Sequence, residues 1–108
     1  MLHSIGPKDL HVPFQAATEF LAGVEDPVAG LHLLVASYGV VMPTHAHLLE
    51  AARLARRPGR RPNWGDIHIA AHALLESTYV ITANPKDFRA LDCMVWDYRN
   101  EPAPPQTR

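Results

Sequence analysis

The chain has 108 residues, a formal net charge of −1 and 47% apolar residues, enough for one small domain with a core and too many for a disordered chain. No apolar run reaches bilayer length, because charges, His or Pro interrupt every candidate, and MLHSIGPKDLH lacks the basic-then-apolar build of a secretory signal. The single cysteine, Cys93, excludes an internal disulfide and fits a reducing compartment, so the expected location is the cytoplasm, with no membrane partner.

Asp9 to Pro13 alternates apolar and polar residues as a short strand does. Pro13 suits a first helical position, and FQAATEFLAG follows at helical spacing, with Phe14, Ala17 and Leu21 on one stripe and Gly23 as the stop. Glu19 has mostly small helical neighbours, so its carboxylate is expected in an open groove. Asp26-Pro27 restarts a helix that turns Val28, Leu31, Leu34 and Val35 inward and ends near Gly39. Val40 to Met42 reads as a buried strand halted by Pro43.

Thr44 can cap a helix running to about Arg57, with Leu48, Ala51, Ala52 and Ala55 as its apolar side. RPGRRPN is a loop by its Pro and Gly. Gly65 to Ser77 is the clearest helix, because Ile67, Ala70, Ala71 and Leu74 keep the i, i+3, i+4, i+7 pattern. Tyr79–Thr82 is a buried strand, ANPKD a turn, and Phe88 to Leu91 one helical turn. Cys93–Trp96 is apolar throughout, as a strand covered on both faces is. From Glu101 to Arg108 the proline-rich tail is expected to be disordered. The alternation of strands and helices over residues 1–100 implies one layered α/β domain with a mostly parallel sheet.

In such a sheet the helix N-termini and the strand carboxyl ends share one edge, where α/β proteins build their sites. Asp66 opens a helix, Glu19 lies in the helix after the first strand, and Asn84 and Asp87 follow the strand Tyr79–Thr82. Carboxylates brought together there repel unless a cation joins them, and oxygen-only ligands favour Mg²⁺ or Mn²⁺, which suits phosphodiester hydrolysis. Plainer readings stand beside this one. Asp66 can simply answer its helix dipole, an effect of about 0.3–1 kcal/mol; Glu19 can be solvated; Asp87 can cap the turn at Phe88.

Five arginines, Arg53, Arg56, Arg57, Arg60 and Arg61, fall within nine positions. Arg56, Arg57, Arg60 and Arg61, just before Asp66, suit RNA phosphates, an acidic protein segment or plain solvent. Trp64 can stack on a base or pack structurally. His68 and His72 share a helical face off the apolar stripe, and solvent exposure is the expectation for both. No histidine receives a role.

The segments VPFQAATEFLAG, GDIHIAAHALLESTYVITANPKDF and CMVWD resemble the PIN domain, specifically VapC-type toxins of bacterial toxin–antitoxin pairs. The resemblance implies a PIN-like α/β/α fold and a Mg²⁺- or Mn²⁺-dependent endoribonuclease. Glu19, Asp66 and Asp87 are its implied catalytic and metal-binding acids. Asn84 offers a further oxygen in the motif from Thr82 to Phe88. The implied partners are an RNA substrate, a cognate antitoxin and a second copy in a homodimer. Family members begin with a strand ending in Asp followed by Ser or Thr, and this sequence has no counterpart to it. The fold is therefore expected to be N-terminally incomplete, lacking a central strand and one metal ligand. The alternative is a non-catalytic, PIN-derived module that binds an antitoxin or another PIN subunit.

Overall fold

A computed structural model gives the fold of the chain and describes residues 11–59 and 63–102. It is a mixed α/β structure with five helices and short parallel strands among the described residues. The chain divides into two units, the first ending at Pro43 and the second continuing from Thr44.

In the first unit, β1 (Val12–Pro13) pairs in parallel with β2 (Val40–Val41). The crossover between them is made by α1 (Phe14–Ala22) and α2 (Pro27–Ser37). Pro13 is the cap of α1 rather than its first helical residue, because it still belongs to the strand pair. Asp26 caps α2 as expected, its carboxylate accepting the Ala29 N–H at 3.1 Å. The two helices approach closely at Gly30, where a Cβ would stand 3.0 Å from Leu21 and 3.2 Å from Val24. Gly39 ends the turn after α2 at φ +94°, a left-handed conformation that costs glycine nothing, and its N–H reaches the Leu34 carbonyl.

The expected inward face of α2 is only partly correct. Leu34 is buried, whereas Val28, Leu31 and Val35 are exposed, Val28 by 67%. The helix is apolar nearly all round, so periodicity does not single out the side that meets α1.

In the second unit, α3 (His45–Ala55) packs along α4 (Trp64–Glu76). Thr44 caps α3 as expected. Of the predicted face of α3, Ala51 is buried and Ala55 partly so, whereas Leu48 and Ala52 are exposed; the buried side is His47, Ala51 and Leu54. Those three positions are i, i+4 and i+7, a stripe that counting apolar residues misses because a histidine begins it. On α4 the expected Ile67, Ala70 and Ala71 are buried, and Leu74 is half-buried against the core. Ala70 and Ala71 have no exposed surface at all. Ser77, in the left-handed conformation at φ 54°, ends the helix and reverses the chain.

β3 (Tyr79–Thr82) then pairs in parallel with β4 (Met94–Asp97), from Tyr79 opposite Met94 to Thr82 opposite Asp97. The short helix α5 (Pro85–Arg89) and a left-handed Asp92 connect them. Val80 and Val95 join α4 and α5 in the core, while Ile81 and Met94 are exposed. This pair therefore has one covered face, not the two that its composition suggests. The single sheet expected from the element order is instead two separate parallel pairs among the described residues, one in each unit. Glu101, assigned by composition to the tail, is tied back: its carbonyl accepts the Trp96 Nε1–H at 2.9 Å and its carboxylate the Asp97 N–H at 2.9 Å. Residues 103–108 lie outside the described part.

Candidate metal centre

The second unit supplies three of the four expected ligands. Asp66 is the third residue of α4, since Asn63, not Asp66, opens the helix. The Asn63 side chain accepts the Asp66 N–H at 2.7 Å and donates from Nδ2 to the Asp66 carboxylate at 3.2 Å. One amide thus caps the helix and aims the acid, in the first turn where the dipole favours negative charge.

Asn84 and Asp87 form the other half. The Thr82 hydroxyl accepts the Asn84 N–H at 2.9 Å and so folds the chain off the end of β3. Asn84 Nδ2 then donates to the Asp87 carboxylate at 3.3 Å, across the first turn of α5. The reversal at Ser77 makes β3 run back along α4. The N-terminus of α4 and the carboxyl end of β3 are therefore at the same end of this unit. Glu19 belongs to the first unit, is exposed on α1, and accepts from Gln15 Nε2 at 2.9 Å.

Two carboxylates and an amide carbonyl are hard oxygen donors of the kind Mg²⁺ takes, since that ion commonly keeps waters and uses one or two protein carboxylates. Among the described residues, no three or more His, Cys, Asp or Glu side chains are grouped to hold a metal. The donor chemistry thus fits the ion in kind, with Asp66, Asn84 and Asp87 as the residues of the second unit able to hold it.

The arginine stripe is partly spent on ion pairs. Arg53 holds Glu50 on the same helix, and this hydrogen-bonded guanidinium keeps the Glu50 carboxyl below its ordinary range. Arg57 pairs with Asp92 at 3.2 Å. Arg56 is exposed on the surface, and Arg60 and Arg61 lie outside the described residues. Trp64 is exposed and tilts over His68, with ring centroids 6.4 Å apart.

Sequence reasoning overlooked one group and misplaced another. Asp97 is buried at the end of β4, where its carboxylate accepts the Arg99 N–H at 3.3 Å and Asn100 Nδ2 at 2.7 Å. The signal was legible, because an Asp followed by polar residues is a turn-former that binds its own downstream backbone. Its carboxylate closes a turn, and Arg99 reaches from that turn to the Ala83 carbonyl at 3.2 Å, steadying the loop that carries Asn84. The second group is His72. It is buried, not solvated as expected, with its ring stacked 5.4 Å from His47. Its partner on α3 is what draws it inside, and no pattern along α4 alone reveals that.

Comparison with family models, with curated proteins and with solved structures finds no match to the chain.

Proposed function

We propose that this chain is a PIN-like protein of the VapC type, a Mg²⁺- or Mn²⁺-dependent endoribonuclease toxin of a toxin–antitoxin pair. The supporting observation is the unit formed by α4, β3 and α5. Asp66 and the Asn84–Asp87 pair share one end of it, each carboxylate aimed by a neighbouring asparagine. These are the residues that the resemblance names, in the stretch where its motifs are most specific. Glu19 enters the proposal from the resemblance alone. In this reading Asp66 and Asp87 hold the ion and Asn84 adds a carbonyl oxygen. When bound, the ion offsets the repulsion between the acids and supplies an activated water for phosphodiester cleavage. Arg56 and its neighbours would contact RNA phosphates without reading sequence.

Calorimetric titration with Mn²⁺ tests the assignment. Wild-type protein is expected to bind the ion, and Asp66→Ala and Asp87→Ala to lose at least about tenfold in affinity. Equal, negligible binding by all three sinks the metal site. RNA cleavage that survives Asp66→Ala would point to a contaminating nuclease.

A non-catalytic module, pairing with an antitoxin or another PIN subunit, is the second reading. The exposed apolar residues of α2 favour it, because Val28, Leu31, Leu33 and Val35 leave that helix with no charged side chain and a largely bare surface. Stable association with a partner by a protein that neither binds Mn²⁺ nor cleaves RNA would select this reading.

A further inference from the structure

His47 sits at an unusual position for its type. It is the third residue of α3, where a Glu or Gln commonly reaches back to the capping residue's backbone. Here the imidazole does so. Its Nδ1 accepts the Thr44 N–H at 2.8 Å, the Thr44 hydroxyl lies 3.0 Å from the same nitrogen, and the His47 N–H points back to that hydroxyl at 3.4 Å. A backbone N–H can only donate. Nδ1 must therefore be unprotonated, and the ring's proton sits on Nε2.

The remainder of the ring is enclosed. His47 is 7% exposed and stacks on His72, itself 8% exposed, with rings inclined by 22°. Nε2 faces Glu76 Oε2 at 3.6 Å, within reach of an ion pair but too long for a hydrogen bond, so this buried nitrogen closes no bond. Among the described residues, the titratable groups that face His47 are His72 and Glu76, both from α4, the helix packed on this side of α3.

We infer that the capping box of α3 is a proton-sensitive latch, closed while His47 is neutral and opened when it is protonated. Protonation places a hydrogen on Nδ1, against the Thr44 N–H. The hydroxyl can rotate to accept it, but the backbone donor cannot turn away without leaving the cap. Protonation also sets a cation against a second buried imidazole. Glu76 pulls the other way. Its carboxylate is half-exposed and unbonded to the ring, and a solvent-screened pair contributes less than a lost cap. The box is complete only with the neutral ring, so the latch contributes stability while His47 is unprotonated, and that contribution is lost when the ring takes up a proton. The first turn of α3 then comes free of its cap, and with it the start of the face that meets α4.

The test compares urea unfolding of the full chain at about pH 7.5 and about pH 5.5, either side of ordinary histidine titration. The wild type is expected to lose roughly fivefold in its folding equilibrium constant, the size of one helix cap. His47→Gln keeps a side chain able to complete the box but cannot titrate, so that component of the loss should vanish. His72→Gln, which removes the stacked ring and leaves the box, should keep most of it. Parallel losses in wild type and His47→Gln overturn the latch, as does abolition of the loss by His72→Gln alone. Should His47→Gln fail to fold, nitrogen resonances of the wild-type imidazole decide. Nδ1 unprotonated at neutral pH, with the Thr44 amide shifting at the midpoint of His47, upholds the latch. A Thr44 amide indifferent to that titration overturns it.

Discussion

The two units are built from similarly apolar sequence and bury it very differently. The second has a continuous core, from Ala51 and Leu54 on α3 through Ile67, Ala70 and Ala71 on α4 to Val80, Phe88, Leu91 and Val95. Among the described residues of the first, Ala17 and Leu34 are the buried hydrophobics. Composition does not separate the units; layering does. Helix α4 lies between a second helix and a strand pair, and its alanines let both come close. Helix α2 has α1 on one side and a two-residue strand pair beyond it. A segment of about 40 residues seldom supports a core of its own, and the first unit is of that size.

That contrast can be broken by experiment. Leu54→Ala is expected to cost about 3–4 kcal/mol in urea unfolding, because it empties a fully enclosed site, whereas Leu34→Ala should cost nearer 2 kcal/mol where the surroundings can collapse. Equal costs would mean that the first unit has a core as firm as the second. Cys93 offers a chemical probe of the second unit. Burial, aided by the nearby Asp92 charge, pushes its thiol from 9.0 up to about 11. At about pH 8 this leaves roughly a hundredth of the ordinary thiolate, so alkylation of the native protein should be slower than that of the unfolded chain by at least that factor. Since the native state holds this proton more tightly, the associated stability is present below about pH 9 and is lost as pH rises from there towards 11. Rapid labelling under native conditions would show the core opening.

Smaller effects refine the comparison. Each unit has a helix capped by a side-chain oxygen that accepts from the third helical residue, and Asp26 for α2 and Thr44 for α3 make the comparison. Asp26→Ala and Thr44→Ala should each cost about 1 kcal/mol, with Thr44 the larger because His47 also leans on it. The reverse order would argue that the first unit depends on its cap more than its packing suggests. Last, Val28→Ser and Val35→Ser on the bare side of α2 should change stability by no more than about 0.5 kcal/mol. A loss several times greater would reveal packing of these side chains in solution that the chain alone does not provide.

Much of the local structure was legible in the sequence. Helix α4 kept a period that fixed both its identity and its buried face, and Asp-Pro and Thr punctuated the starts of α2 and α3 correctly. What escaped had one cause: the decisive neighbour lay on another element. His72 is inside, stacked on the His47 that α3 presents to it, and Leu48 is outside while His47 beside it begins the buried stripe. At the candidate metal centre, the hydrogen bonds that Asn63 and Asn84 give to the carboxylates of Asp66 and Asp87 were not readable from the motif. Asn63 was read as loop, although a cap and a carboxylate both depend on its amide.

The Trp96–Glu101 hydrogen bond makes this indole a reporter of the second unit as it unfolds. Both tryptophans of the chain, Trp64 and Trp96, lie in the second unit, one facing solvent and the other half-buried and tethered by its indole nitrogen. Intrinsic tryptophan emission therefore watches that unit and is blind to α1 and α2. Far-ultraviolet circular dichroism, which weighs every helix, sees both. Where the two signals trace one transition the units melt together; where dichroism falls first, the first unit has melted without its neighbour.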